Sequence, residues 1–435
     1  MTEKEWIEQA RRIAKRQSQT RTSSYSTFRR ALAETCLLMS RAPTAISDSY
    51  SLTPESDLVA GSGEASDTLF DGRWQWTIDA RNARSLAVGV GVRARALDLA
   101  LNHEGVSDGP AHDPDAEYFC KASDAYVIPR SAKPFREGHG SRRHFRQRGT
   151  PHHRVIPKMF GSFVMDLHRL DRLEVDPSSE RPLGAAMFEN FTLLYDGDGE
   201  NLVIRDVDCA SAEATIRRQV AAACAANCWT VVWPEYNMPP RNLALLQEQL
   251  LDVACSAEPA ADPDWVLAGS WRSGEPAENV AWILDGYGYP ALSLAKAIPY
   301  RENQLGVEAI QPRYRVPILV TDRALVAFGI CRDFCEMGQE TAWEALNVDL
   351  VVVASMGSDE NTMLSHRSVA HHSVARGQRA FVVQQREKTG TGTTGWVLPP
   401  TGRAGALELN DLEVSDWSEH ECDLWISAGR GGEAL

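Results

Sequence analysis

The chain has no long apolar run. No window of its 435 residues approaches 18 uninterrupted apolar positions, which excludes a membrane-spanning helix and predicts no membrane partner. It also lacks a positive excess, and a formal net charge of −14 argues against a chain-wide role in wrapping nucleic acid. A disulfide framework is missing as well. Nine cysteines, an odd number, are scattered from Cys36 to Cys422 without dense spacing, which predicts a reducing compartment. The opening MTEKEWIEQARRIAKR is charged throughout, with no apolar segment of the signal-peptide kind. These absences together predict a cytoplasmic protein.

What is present is a hydrophobic fraction of 43% and a length that suggests two or three domains. The acid is unevenly spread: residues 1–190 carry about +2 and the remainder about −16, the signature of two units with different partners. Residues 1–40 read as a helical segment, because Trp6, Ala10, Ile13 and Ala14 make one stripe and Phe28–Met39 a second candidate. Residues 41–72, rich in Ser, Asp, Thr, Pro and Gly with little periodicity, read as a linker or mobile loop. Residues 73–190 match no known fold by pattern and are read as mixed α/β, opening on a strand-like WQWTI. They contain a basic loop at 130–158, RSAKPFREGHGSRRHFRQRGTPHHRVIPK, with histidines and two phenylalanines interleaved among its cations. Phosphate or nucleic-acid contact is one account of that loop, and docking on an acidic surface of this or a neighbouring chain is the plainer one.

From about Phe191 the pattern is regular. Strands alternate with helices, and two hairpins stand in the middle, 280–284 with 291–295 and 317–320 with 324–330, which predicts a mixed sheet covered by helices. Three chemical side chains each follow an apolar strand: Glu235 after TVVWP, Lys296 after ALSLA and Cys331 after VAFGI. Sites in α/β proteins gather at such strand ends. The three types are also complementary. A thiol becomes a strong nucleophile once a base removes its proton. A carboxylate can serve as that base and later activate water. A lysine, beside the backbone N–H next to the cysteine, can hold the oxygen of a tetrahedral intermediate. Taken singly, each has a bland explanation: a core thiol, a helix-capping carboxylate, a solvated lysine.

In this order, WTVVWPEYNMP, LAKAIP and GICRDFCE resemble the Glu, Lys and Cys signatures of the nitrilase (carbon–nitrogen hydrolase) superfamily. AEATIRRQVAAACAANCWTVVWPE, NVDLVVVASM, ARGQRAFVVQQ and GWVLPPTGR resemble further family segments, so the likeness covers about residues 191–412, within a domain read as 191–425. The resemblance implies a four-layer α-β-β-α sandwich with mixed sheets that forms homodimers or larger homo-oligomers. It implies a cysteine-dependent hydrolysis of a non-peptide C–N bond in an amide-like small molecule, without a cofactor. By residue it implies Cys331 as nucleophile, Glu235 as general base and Lys296 as oxyanion and positioning residue. A second glutamate is expected between lysine and cysteine; Glu308 is the choice and Glu302 its rival. Arg332 stands where an aromatic residue is common, and Cys335 where proline is. The other function class is a binding or signalling protein, with the nitrilase-like unit as an assembly or ligand-sensing module and the N-terminal unit engaging nucleotide, nucleic acid or protein.

Two motifs are set aside. Gly390–Gly395 matches GxGxxG but runs into a strand rather than a helix that could face pyrophosphate. Cys331-x3-Cys335 with His371 and His372 fits no standard zinc spacing, and Cys224 and Cys228 read as core residues one turn apart.

Overall fold

The computed structural model describes residues 1–20, 23–104, 117–130, 150–170, 181–256, 262–302, 304–335, 343, 346, 348–357, 360–374, 378–387, 394–400, 415–416 and 424–427. The chain divides into two compact units, one drawn chiefly from residues 1–160 and the other from 161–435. Among the described residues no helix is long and apolar enough to cross a membrane.

The first unit is mostly helical. Its first helix, Glu3–Ser18, starts at a capping box in which Glu5 N–H donates to Thr2 Oγ1 (3.3 Å) and Thr2 N–H to Glu5 Oε2 (2.8 Å). Trp6, Ala10, Ile13 and Ala14 are its buried side. Tyr25–Ser40 follows, capped by Ser24. The stretch expected to be a linker departs from that expectation, because it holds three short helices, Thr44–Leu52, Glu55–Ala60 and Ser62–Phe70. Its composition hid them: of the apolar residues in these helices only Ile46, Tyr50, Leu58 and Leu69 are buried, and they pack against partners outside the stretch. The long helix Ala83–Glu104 receives them. A Cβ at Gly91 on that helix would lie 2.4 Å from the Tyr50 ring, so glycine permits the close approach. No strand forms at WQWTI; Trp74 and Trp76 instead flank the guanidinium of Arg93. A three-stranded antiparallel sheet, Phe119–Cys120, Ala125–Pro129 and His153–Pro157, completes the unit, so a mixed α/β content holds there. Most of the basic loop, 131–149, lies outside the described residues.

The second unit is built on two mixed sheets. One has the order Pro290–Ala295, Glu278–Asp285, Trp265–Ser273, Thr230–Trp233, Leu183–Ala186, Leu424–Ile426. Its middle three strands are parallel, and the flanking pairs are antiparallel. In the other, Ser415–Asp416, Gly395–Leu398, Arg379–Gln385, Leu350–Met356, Leu325–Ile330, Arg315–Val320 and Phe163–Arg169 are neighbours in that order. Both central strand sets carry continuous apolar runs, Val231–Trp233 and Trp265–Ala268 in one and Leu350–Ala354 and Ala380–Val383 in the other, as parallel strands buried on two faces must. Trp265, Leu267, Val232 and Ala185 of the first sheet pack with Phe328, Ile330, Val352, Ala354 and Val383 of the second in one core. The outer face of the first sheet is covered by the helices Ala212–Ala225 and Pro240–Ala254. Glu360–Val374 packs beside the strand Arg379–Gln385 of the second sheet. The result is an α-β-β-α sandwich of mixed sheets. It begins earlier than residue 191, because Phe163–Arg169 and Leu183–Ala186 are integral strands, the first a short alternating segment and the second four small or apolar residues.

A small third sheet, ordered Arg301–Glu302, Gly306–Glu308, Asn201–Asp208, Thr192–Gly197, brings Glu308 into register with Leu202.

Candidate active site

The strand Thr230–Trp233 is halted by Pro234, and Glu235 then turns inward, 2% exposed. Tyr236 adopts a left-handed backbone (φ 61°), a costly conformation for an aromatic residue. It is held there by its N–H, which donates to Ser270 Oγ (3.2 Å). The neighbouring strand makes room through Gly269 (φ 55°), where a Cβ would meet the Pro234 carbonyl at 2.4 Å.

Lys296 lies immediately beyond the strand Pro290–Ala295 and is 1% exposed. Its Nζ donates to Glu235 Oε1 (2.7 Å) and to Glu308 Oε2 (2.7 Å). The ammonium therefore bridges two carboxylates that lie 73 residues apart in sequence. Asn279 Nδ2 joins the same two acids, at 2.9 Å from Glu235 Oε1 and 3.1 Å from Glu308 Oε1. The Tyr236 hydroxyl donates to Glu308, and the Tyr300 N–H donates to Glu308 Oε2 (2.8 Å). Glu302, the rival second glutamate, is not in this cluster; its Oε2 accepts from the N–H groups of Gln304 and Leu305 in a local turn.

Cys331 follows the strand Leu325–Ile330. Its N–H donates to the Ala354 carbonyl (2.8 Å), and its backbone then turns left-handed (φ 44°) into the helical turn Arg332–Cys335. The thiol donates to the Met356 carbonyl at 3.4 Å, and Glu235, Lys296 and Ser355 are among the groups that act on it electrostatically. Asp333 fastens this turn to the lysine's strand end. Its Oδ1 accepts from the N–H groups of Ala297 (3.0 Å) and Ile298 (2.9 Å), and its Oδ2 from that of Ile330 (3.2 Å).

Electrostatics follow from burying so many groups together. Burial raises the Glu235 carboxyl above its usual range, opposed by Lys296 and reinforced by Glu308. Burial works in the same direction on Glu308, but Lys296, Tyr236 and the Tyr300 N–H outweigh it and hold that carboxyl low. Burial would depress Lys296; the two carboxylates reverse this and keep it firmly charged. Burial, then the charge of Glu235, push the Cys331 thiol up to about 12. At rest a firmly charged Lys296 lies between Glu308, whose carboxyl is held low, and Glu235, the more basic of the two, beside a thiol that burial keeps from ionising.

All four residues named from the sequence, Glu235, Lys296, Glu308 and Cys331, thus meet in one buried cluster. Sequence reasoning assigned no role to Tyr236, Asn279 or Asp333. Tyr236 adjoins Glu235, so a signal existed. Asn279 had none, as one polar residue in an alternating strand. Among the described residues no group of His, Cys, Asp and Glu could hold a metal ion.

No protein-family model and no curated protein matches this sequence. Solved structures do. One is a cysteine-to-serine variant of the Nesterenkonia AN1 amidase from the nitrilase superfamily, 15% identical, covering 52% of this chain and 86% of that one with a TM-score of 0.39. About half of the chain is similar to a nitrilase-superfamily amidase. A second structure of an amidase from Nesterenkonia sp. is 14% identical over 53% of this chain and 87% of that one, with a TM-score of 0.37. A third, the Nesterenkonia sp. AN1 amidase after Michael addition of acrylamide at its active-site cysteine, is 13% identical over 51% and 87%, with a TM-score of 0.38. At such identity and overlap the likeness carries nothing about the substrate of this chain.

Proposed function

We propose that this protein is a cysteine-dependent hydrolase of a non-peptide C–N bond, amidase-like, working through a thioester. The observation that supports this reading is the buried meeting of a strand-end thiol with a carboxylate of raised basicity and a doubly paired ammonium. Glu235 takes the proton from Cys331 Sγ as the sulfur attacks the amide carbonyl carbon. The thiol is too weak an acid at rest to be stored as thiolate, so proton loss and attack are coupled. The negative charge moves from Glu235 to the substrate oxygen, where the Lys296 ammonium stabilises it. Glu235, now protonated, gives its proton to the leaving nitrogen as the C–N bond breaks, releasing ammonia or an amine. Water, deprotonated by Glu235, then attacks the thioester, releasing the acid and restoring the thiol. Glu308 holds Lys296 in place and keeps it charged throughout.

The test is intact mass spectrometry after exposure to a panel of amides. The expected result is an acyl adduct on the wild type, its mass equal to the amide less its amine, and no adduct on Cys331→Ala. An adduct that survives the substitution, or none on either protein across the panel, overturns the reading.

A further inference from the structure

The first unit carries a cavity of about 420 Å3 of its own, and the proposed hydrolase chemistry makes no use of it. It opens between the helices Glu3–Ser18 and Tyr25–Ser40 and the short strand Phe119–Cys120. Four cations line it, Arg16, Arg29, Arg30 and Lys121, against a single carboxylate, Glu34. Glu34 is engaged by two of them: Arg16 at 2.9 Å and Arg30 at 3.0 Å. Arg29 is fixed by neutral acceptors, since its terminal nitrogens donate to the carbonyls of Glu117 and Phe119 (3.4 Å to the latter), which orient a guanidinium without cancelling its charge. Its Nε is buried without a hydrogen-bond partner among the described residues.

A second observation lies behind the wall. Gln17 and Trp74 line the cavity and also hold Arg93, which is 4% exposed. Arg93 Nε donates to Gln17 Oε1 (3.0 Å), and its guanidinium lies over Trp74 (5.4 Å) and Trp76 (5.5 Å). Its Nη2 is buried with no hydrogen-bond partner among the described residues. Burial lowers this guanidinium to about 10, so it is still charged at neutral pH. A desolvated cation with unspent donors is costly to maintain, and ring faces offset only part of that cost. Four cations at the cavity wall add to the same positive field, which one carboxylate does not balance.

We propose that this cavity binds a small organic phosphate monoester, with Arg29 and Lys121 engaging the phosphoryl oxygens and Arg93 supplying charge from behind. A doubly charged oxyanion suits the excess of three cations at the wall better than a single carboxylate would, and guanidinium forks match its geometry. The volume falls within the range of small-molecule sites, roughly 300–1,000 Å3, and leaves space for a body beyond the charged head.

The experiment is calorimetric titration of the full chain at constant ionic strength, with inorganic phosphate, glycerol 3-phosphate and glycerol. Saturable binding is expected for the phosphate-bearing ligands and none for glycerol. Tighter binding of the ester than of phosphate identifies an organic ligand, and equal binding identifies free phosphate as the source of the same chemistry. Arg29→Gln and Lys121→Gln should each weaken binding by roughly tenfold. Lys121 is exposed, so its variant tests the site even if Arg29→Gln fails to fold. Absence of saturable binding by both phosphate-bearing ligands, or affinity unchanged in folded variants, overturns the proposal.

Discussion

Lys296 is the residue on which the rest of the candidate site depends. It is buried between two carboxylates at 2.7 Å each, and neither acid has another cation bonded to it among the described ion pairs. Removing one member of a buried ion cluster leaves the others desolvated and repelling. Lys296→Met is therefore expected to cost about 3–5 kcal/mol of stability, read as a fall in the denaturant midpoint. A variant as stable as the wild type would show that the acids are not both ionised. Cys331 gives a second prediction at this scale. With its thiol pushed up to about 12, alkylation by iodoacetamide should be slow at neutral pH and climb steadily through the alkaline range without levelling. A plateau near the ordinary thiol value of about 8.5 would mean that the site is wetter than its burial suggests.

At the scale of elements, the site is a matter of strand ends held in register. Asp333 joins the end of Pro290–Ala295, through Ala297 and Ile298, to the end of Leu325–Ile330. Burial outweighs its three N–H donors and the nearby Lys296, and raises its carboxyl from 3.8 to about 7. A folded value above the unfolded one contributes stability that is full below 3.8 and disappears as pH rises through 7. The swing across that window is on the order of 4 kcal/mol. Asp333→Asn cannot titrate and loses acceptor capacity, so it should be less stable than wild type at pH 5, with the deficit narrowing by pH 8. Urea unfolding at the two pH values checks this, and a deficit that widens would reverse the assignment. The helix Tyr25–Ser40 and the strands around Glu235, Lys296 and Cys331 were legible locally, because a stripe or an uninterrupted apolar run is a short-range pattern. The helices within 41–72 were not, since their few buried residues gain burial only from the helix Ala83–Glu104.

At the scale of the whole molecule, the two sheets of the second unit share one core, and the strand ends that carry Glu235, Lys296 and Cys331 are fixed by it. Phe328, three residues before Cys331, meets Trp265 of the opposite sheet edge to face, with ring centres 5.4 Å apart. Phe328→Ala should cost about 3–5 kcal/mol through lost contact and the cavity left behind, and should slow acyl-adduct formation by loosening the core on which the Cys331 strand end rests. Thermal unfolding together with the adduct assay would test both parts. Full activity in a destabilised variant would separate the core from the geometry of the site.

The sequence by itself determined which residue types stand at strand ends, that Glu235, Lys296 and Cys331 follow buried runs, and that the second half alternates strands with helices. These are properties of neighbouring residues. Tertiary structure set Glu308 rather than Glu302 beside Lys296, brought Asn279 and Tyr236 to the same cluster, and turned Asp333 into a clamp. Those choices depend on contacts across 72 residues for Tyr236 and Glu308, and 61 for Glu235 and Lys296. A charge acquires its role from what it is buried against, and only the folded chain supplies that neighbour.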